Sequence, residues 1–168
     1  MSSRRPSRPP PAAADHDALL ALFFFAWRGF AAEPDAILAR EGLGRVHHRI
    51  LYTVVRVPGI RVGDLAASLG VTRQALHRPL SELHRRRLVV SAVSAESARE
   101  RELRVTPRGA QLEDRASGTQ RDQLRRVFES AGDTAAEGWA RVMQGLASPV
   151  VSRSPGRMAE IVRRQVEP

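Results

Sequence analysis

The chain has 168 residues, with 27 basic residues (all arginine) against 18 acidic ones, and a net charge of +9. It has no cysteine, which excludes disulfides, zinc–thiolate sites and thiol redox switches, and its length makes one domain the default. The basic excess fits either a GC-rich coding bias or a phosphate-binding surface, and only the distribution of charge along the chain separates the two.

Residues 1–14 are Arg, Ser, Pro and Ala, with prolines at 6, 9, 10 and 11, so they are expected to be a disordered basic arm. Arginines 4, 5 and 8 ahead of the apolar run 18–27 imitate a signal peptide. Asp15 and Asp17 against the run argue otherwise, and the run is too short to span a bilayer, which takes about 20 apolar residues. A soluble cytoplasmic chain, away from membranes, is the expectation. Asp15 is a plausible N-cap for a helix to about Ala32, with Pro34 opening a second short helical piece that ends near Gly42-Leu-Gly44. Val46, Ile50, Val54 and Val57 then recur at helical spacing until Pro58-Gly59.

A short helix follows over 62–69, with Leu65, Ala66 and Leu69 apolar, closed by Gly70. Thr72 caps a longer helix to about Arg87, whose buried stripe is Leu76, Leu80 and Leu83. The period then changes. The β-branched run 88–93 and the alternating stretch 101–106 make a hairpin around the polar segment 94–100. Pro107 suits the first turn of a long helix ending near Ala131-Gly132. Thr134 and Glu137 have capping-box spacing that starts a further helix, with Ala135, Trp139, Val142, Met143 and Leu146 on one face. Residues 158–166 allow a last helix beyond Pro149.

From 45 to 106 the order is helix, short helix, turn, helix, strand, charged loop, strand. A short helix tightly followed by a longer one is a helix-turn-helix pattern, with Gly70-Val71-Thr72 as its turn. The two strands supply a wing. The stretch 59–109 resembles the MarR family of winged-helix regulators. The residues carrying the resemblance are Val62-Gly-Asp-Leu-Ala-Ala-Ser-Leu-Gly-Val-Thr-Arg-Gln-Ala-Leu76, Leu83-His-Arg-Arg-Arg-Leu-Val89 and Leu103-Arg-Val-Thr-Pro-Arg-Gly109. Within that family, Gly42-Leu-Gly-Arg-Val-His-His-Arg49 is similar to a PetP-type branch.

The resemblance implies a mainly α-helical fold with a small β-hairpin wing (α+β), a winged helix-turn-helix with a helical dimerisation domain. Residues 15–44 and 107–168 would supply the dimerisation helices and 45–106 the DNA-binding unit. It further implies a homodimer on double-stranded DNA at an inverted-repeat operator, acting as a repressor responsive to a small ligand. The helix from Thr72 would enter the major groove and the wing would reach the minor groove. Three positions depart from the family's pattern. Ser97 stands where an Asp usually orients the wing arginine, Arg87 stands where Gly usually follows the recognition helix, and Pro79 lies inside that helix.

The residues agree with this reading. The window 72–108 holds nine Arg against four Glu. Arg73, Gln74, His77, Arg78 and Ser81 fall off the buried stripe, and Arg and Gln suit guanine and adenine edges. Thr72 suits a phosphate, with Arg99 and Arg101 in the wing. The same charges could instead be a solvated helix face. Phe24, Trp27, Phe30, His48, Arg49 and Tyr52 could line an effector site with a cationic wall, taking a small aromatic or lipophilic molecule, or could simply pack a helix junction. No cofactor is implied.

A metal site is disfavoured because adjacent His47 and His48 point about 100° apart on a helix, while His77 and His84 are placed to meet DNA or solvent. An enzyme lacks a phosphate-cradling glycine loop, a nucleophile elbow and a carboxylate pair. The alternative from another class is a winged-helix interaction or ligand-sensing module whose DNA binding is weak or lost.

Overall fold

The computed structural model describes residues 15–93, 101–153 and residue 160. The basic arm 1–14, the wing tip with Ser97 and Arg99, and the last helix expected over 158–166 lie outside this description, apart from residue 160. The elements run α1 (His16–Arg40), α2 (Arg45–Arg56), β1 (Ile60–Arg61), α3 (Val62–Leu69), α4 (Arg73–Arg85), β2 (Val89–Val93), β3 (Arg101–Val105), α5 (Pro107–Ala131) and α6 (Asp133–Arg153). The architecture is mainly helical with a small antiparallel sheet in the order β1-β3-β2. Two-residue β1 was not anticipated from sequence. It is too short to carry an alternation, and it exists because Ile60 pairs with Leu103 on the inner edge of the wing.

One apolar cluster joins the elements. Leu38 of α1, Ile50, Leu51 and Val54 of α2, Leu65 of α3, Leu76 and Leu83 of α4, Leu103 of β3 and Leu112 of α5 all bury in it. The helix-turn-helix therefore shares one core with the flanking helices, and α5 packs along both α1 and α2. The turn between α3 and α4 closes as its sequence predicts. Gly70 takes the left-handed conformation at φ 67°, and the Thr72 hydroxyl accepts from the Ala75 N–H at 3.1 Å.

The Thr-x-x-Gly pattern at the end of the wing has a local explanation. The Thr106 hydroxyl donates to the Arg87 carbonyl at 2.8 Å and accepts from the Gly109 N–H at 3.1 Å. Thus Thr106 caps α5 while tying it to the chain segment that leaves α4. A Cβ at Gly109 would drive into the Leu88 carbonyl, so only glycine lets the start of α5 pass that close.

Two expectations need correction. Residues 16–40 form one helix rather than two pieces, with Pro34 buried inside it. Proline removes the N–H that would reach the carbonyl four residues back. Here that carbonyl belongs to Phe30, and the Gln120 side-chain amide of α5 donates to it at 3.3 Å. A side chain 90 residues away in the sequence thus replaces the lost intrahelical bond. Likewise α6 starts at Asp133, ahead of the expected cap at Thr134, and continues through Pro149 to Arg153. Gly145, whose carbonyl Pro149 frees, is exposed, so water can satisfy it. Pro79 lies inside the uninterrupted span Arg73–Arg85 of the recognition helix.

Candidate nucleic-acid interface and adjoining cleft

The chemistry of α4 follows from its two faces. Leu76, Leu80 and Leu83 are buried against the core, which turns Arg73, Gln74, His77, Arg78 and Ser81 outward, all of them exposed. Thr72 is exposed at the helix start, and Arg101 is exposed at the foot of the wing. Arg73 folds back onto the neighbouring helix. Its guanidinium lies against Gly63 of α3, where a Cβ would approach Nη2 to 2.5 Å. Arg73, His77, Ser81 and Arg101 line one shallow groove between α4 and the wing strands. Arg78 lies outside this groove, beside Pro79 and Glu82 on the flank facing Gly42.

His84 lines the same groove, but both of its ring nitrogens are engaged within the fold. It is half-buried, with Nδ1 2.9 Å from the Leu80 carbonyl and Nε2 2.7 Å from the Ser91 hydroxyl. A carbonyl only accepts, so Nδ1 carries the hydrogen toward Leu80. This pair pins the end of α4 to β2 and fixes the angle between helix and wing. The sequence offered no local sign of it, because the pairing runs between a helix and a strand. The acidic residue in the helix is also occupied. Glu82 is held down to about 2 by the hydrogen bonds of Arg85 and Arg86, leaving the outer arginines without a competing carboxylate on that turn.

A cleft of about 740 Å³ opens between α1, α2, α3 and α5. Trp27, Phe30, His48, Arg49 and Tyr52 all line it, and Trp27 and Phe30 sit with ring centroids 6.5 Å apart. Phe24 does not belong to the lining; it is 58% exposed on α1. Arg56 and Arg121 also reach the cleft and were missed from sequence. Arg56 stacks over the Tyr52 ring at 3.4 Å and pairs with buried Glu113 at 2.9 Å.

That carboxylate also accepts from the Ser117 hydroxyl at 2.6 Å. Ser117 has thus spent its proton on Glu113, so the 3.0 Å contact with His48 Nε2 is one in which Nε2–H donates. Burial holds His48 below the ordinary histidine value, against the pull of Glu113. The expected cationic wall therefore consists of Arg49, Arg56 and Arg121, with His48 a neutral member. His47 takes a structural role, its Nδ1 accepting from the Gly44 N–H at 3.0 Å. Among the described residues no group of three or more His, Cys, Asp or Glu is placed to hold a metal ion. Nor, among them, is any helix long and apolar enough to cross a membrane.

A helix-turn-helix with an outward polar recognition face, followed by a hairpin and flanked by long helices, defines a winged helix-turn-helix transcriptional regulator. A profile of the MarR family matches residues 41–100. The HTH-type transcriptional regulator PetP of Rhodobacter capsulatus is 42% identical over 130 residues, covering 77% of this chain and 78% of that one. The chain belongs to the MarR family and is closely related to PetP-type regulators, which makes it a DNA-binding regulator and not an enzyme.

Solved structures share its fold. The crystal structure of a MarR family transcription regulator has a TM-score of 0.68 at 24% identity, covering 79% of this chain and 87% of that one. NadR in complex with 4-hydroxyphenylacetate has a TM-score of 0.64 at 19% identity, covering 87% and 98%.

Proposed function

We propose that the chain works in the cytoplasm as a homodimeric repressor on an inverted-repeat operator, and that a small anionic aromatic or lipophilic effector in the cleft controls it. The observation that carries the DNA reading is the outward face of α4, where Arg73, Gln74, His77, Arg78 and Ser81 are exposed opposite a fully buried leucine stripe. In this reading α4 lies in the major groove, Thr72 meets a phosphate, and the wing brings Arg99 and Arg101 to the minor groove. Arg73 leaves Gly63 to reach a base edge. The effector reading is supported by the aromatic and cationic lining of the cleft, and by a protein of the same fold that was solved with an aromatic carboxylate.

Binding to the promoter region beside its own gene tests the DNA reading. Affinity should fall steeply with salt, with a log–log slope of about −0.9 per neutralised phosphate. Arg73→Ala should relax sequence preference, at a cost of about 1–3 kcal/mol on the preferred site. Arg78→Ala should weaken all sequences alike. Salt-independent binding, or none, overturns this reading and leaves a winged-helix module that has lost DNA.

A further inference from the structure

The cleft touches the helix-turn-helix at one place, the end of α3. There Arg49 of α2 donates through Nη2 to the Leu69 carbonyl at 3.0 Å. Leu69 is the last residue of α3, and its carbonyl is one of those a helix leaves without an intrahelical partner. Next to it, the Ser68 hydroxyl is shielded from solvent and has no hydrogen-bond partner, the one such buried side-chain group among the described residues. Arg49, Ser68 and Leu69 all line the cleft. A buried hydroxyl without a partner is a standing cost to the fold. Rotating it about a single bond breaks no hydrogen bond, so it can turn toward an occupant of the cleft at little expense.

We propose that Arg49 and Ser68 are the transmission point between cleft and DNA-binding unit. A carboxylate in the cleft draws Arg49 off the Leu69 carbonyl and accepts the idle Ser68 hydroxyl, so that occupancy acts on the end of α3 that leads into the recognition helix. The competition favours the carboxylate, because it offers the guanidinium a full negative charge and two oxygens for parallel N–H bonds, which the neutral Leu69 carbonyl does not. Release of the Leu69 carbonyl loosens the Gly70-Val71-Thr72 turn, on which the angle of α4 depends. This inference rests on the cleft being an effector site. It adds that two particular residues convert binding into a change at the DNA.

The test uses the full-length chain. Benzoate, salicylate, cinnamate and 4-hydroxyphenylacetate are screened by Trp fluorescence, and the tightest is carried forward. Two quantities are measured: the Kd of that probe, and the ratio of promoter-DNA Kd with saturating probe to that without it. For the wild type the ratio is expected at about tenfold, within the usual range of coupling between sites. Ser68→Ala and Arg49→Gln should each bring the ratio below about threefold, Ser68→Ala doing so even when probe concentration is raised to restore saturation. Without any probe, Ser68→Ala should raise Tm by about 3 °C. That rise should exceed the one from Ser130→Ala, an exposed helical serine that controls for propensity.

A wild-type chain that binds none of the four carboxylates overturns the effector reading and this inference together. A probe that binds, but whose ratio survives both substitutions, overturns the transmission point and leaves the effector site standing. An unchanged or lower Tm for Ser68→Ala means that the hydroxyl already has a partner, and also overturns it.

Discussion

Arg87 stands immediately beyond the recognition helix at φ 56°, the left-handed region that non-glycine residues pay to enter. It is held there because its own carbonyl accepts the Thr106 hydroxyl, while its N–H donates to the His84 carbonyl at 2.9 Å. The left-handed conformation costs about 1–2 kcal/mol for a residue with a Cβ. Glycine would give back about 0.5–1 kcal/mol of that through its freer unfolded chain. Arg87→Gly is therefore expected to stabilise the protein by about 0.5–1 kcal/mol, read as a Tm rise of about 2–3 °C in a thermal melt. A lower Tm would mean that the arginine side chain makes up for its own strain.

A second residue-scale effect concerns pH. Burial holds His48 and His47 below the ordinary histidine value. In the unfolded chain both take up a proton near pH 6.5, while the folded chain resists until the pH is lower. The unfolded state thus binds more protons in that window, so stability is full above about 6.5 and declines as the pH falls below it. Melting curves from pH 7.5 to 5 should show this decline. His48→Gln, which keeps a donor for Ser117 but cannot titrate, should flatten part of it. A variant that declines as steeply as the wild type would place the effect elsewhere.

At the scale of elements, what could be read from sequence was what local spacing encodes. The caps at Asp15 and Thr72, the αL glycine at 70, Pro107 at the first turn of α5, and the change from helical to alternating period at the wing all belong to neighbouring residues. They hold in the structure. Long-range compensation was not readable. Pro34 suggests a helix boundary, and nothing near it indicates that Gln120 will take over the Phe30 carbonyl. Arg56 escaped the cleft for the same reason, since its place depends on Glu113, 57 residues further on.

The proline substitution can be tested by a double-mutant cycle. Gln120→Ala alone should cost about 1 kcal/mol by leaving the carbonyl unpaired. In a Pro34→Ala background the helix makes its own bond to that carbonyl, and the same change should cost close to nothing. Equal costs in both backgrounds would show that Gln120 acts through packing instead. Because Gln120 and Phe30 also border the cleft, the cycle measures how firmly the upper wall of that site is held.

At the scale of the whole molecule, the apolar surface is on the wrong side for a monomer. Leu22, Phe23, Phe24, Phe25 and Trp27 of α1 are exposed, as are Trp139, Val142 and Leu146 of α6, while the buried core lies around the winged unit and takes in only Leu38 of α1 and Leu112 and Ala116 of α5 from the long flanking helices. A soluble monomer seldom exposes an apolar patch beyond about 300–600 Å². Two copies joined through these helices would bury the surface, and would set the two recognition helices about 34–36 Å apart, one DNA turn. The expected sedimentation mass is that of a dimer at micromolar concentration, unchanged on deleting residues 1–14. Deleting 15–32 should give insoluble protein, because the apolar partners of that segment are left bare.

Phe25 is the sharpest single probe, since it is 68% exposed. Its burial in two copies would contribute about 2 kcal/mol each. Phe25→Asp should then weaken the dimer by roughly a thousandfold while leaving the monomer's core intact. The same variant should lose the preference for an inverted repeat over a single half-site. A wild-type chain that stays a monomer at every concentration, or a Phe25→Asp variant that dimerises as before, would remove α1 from the interface.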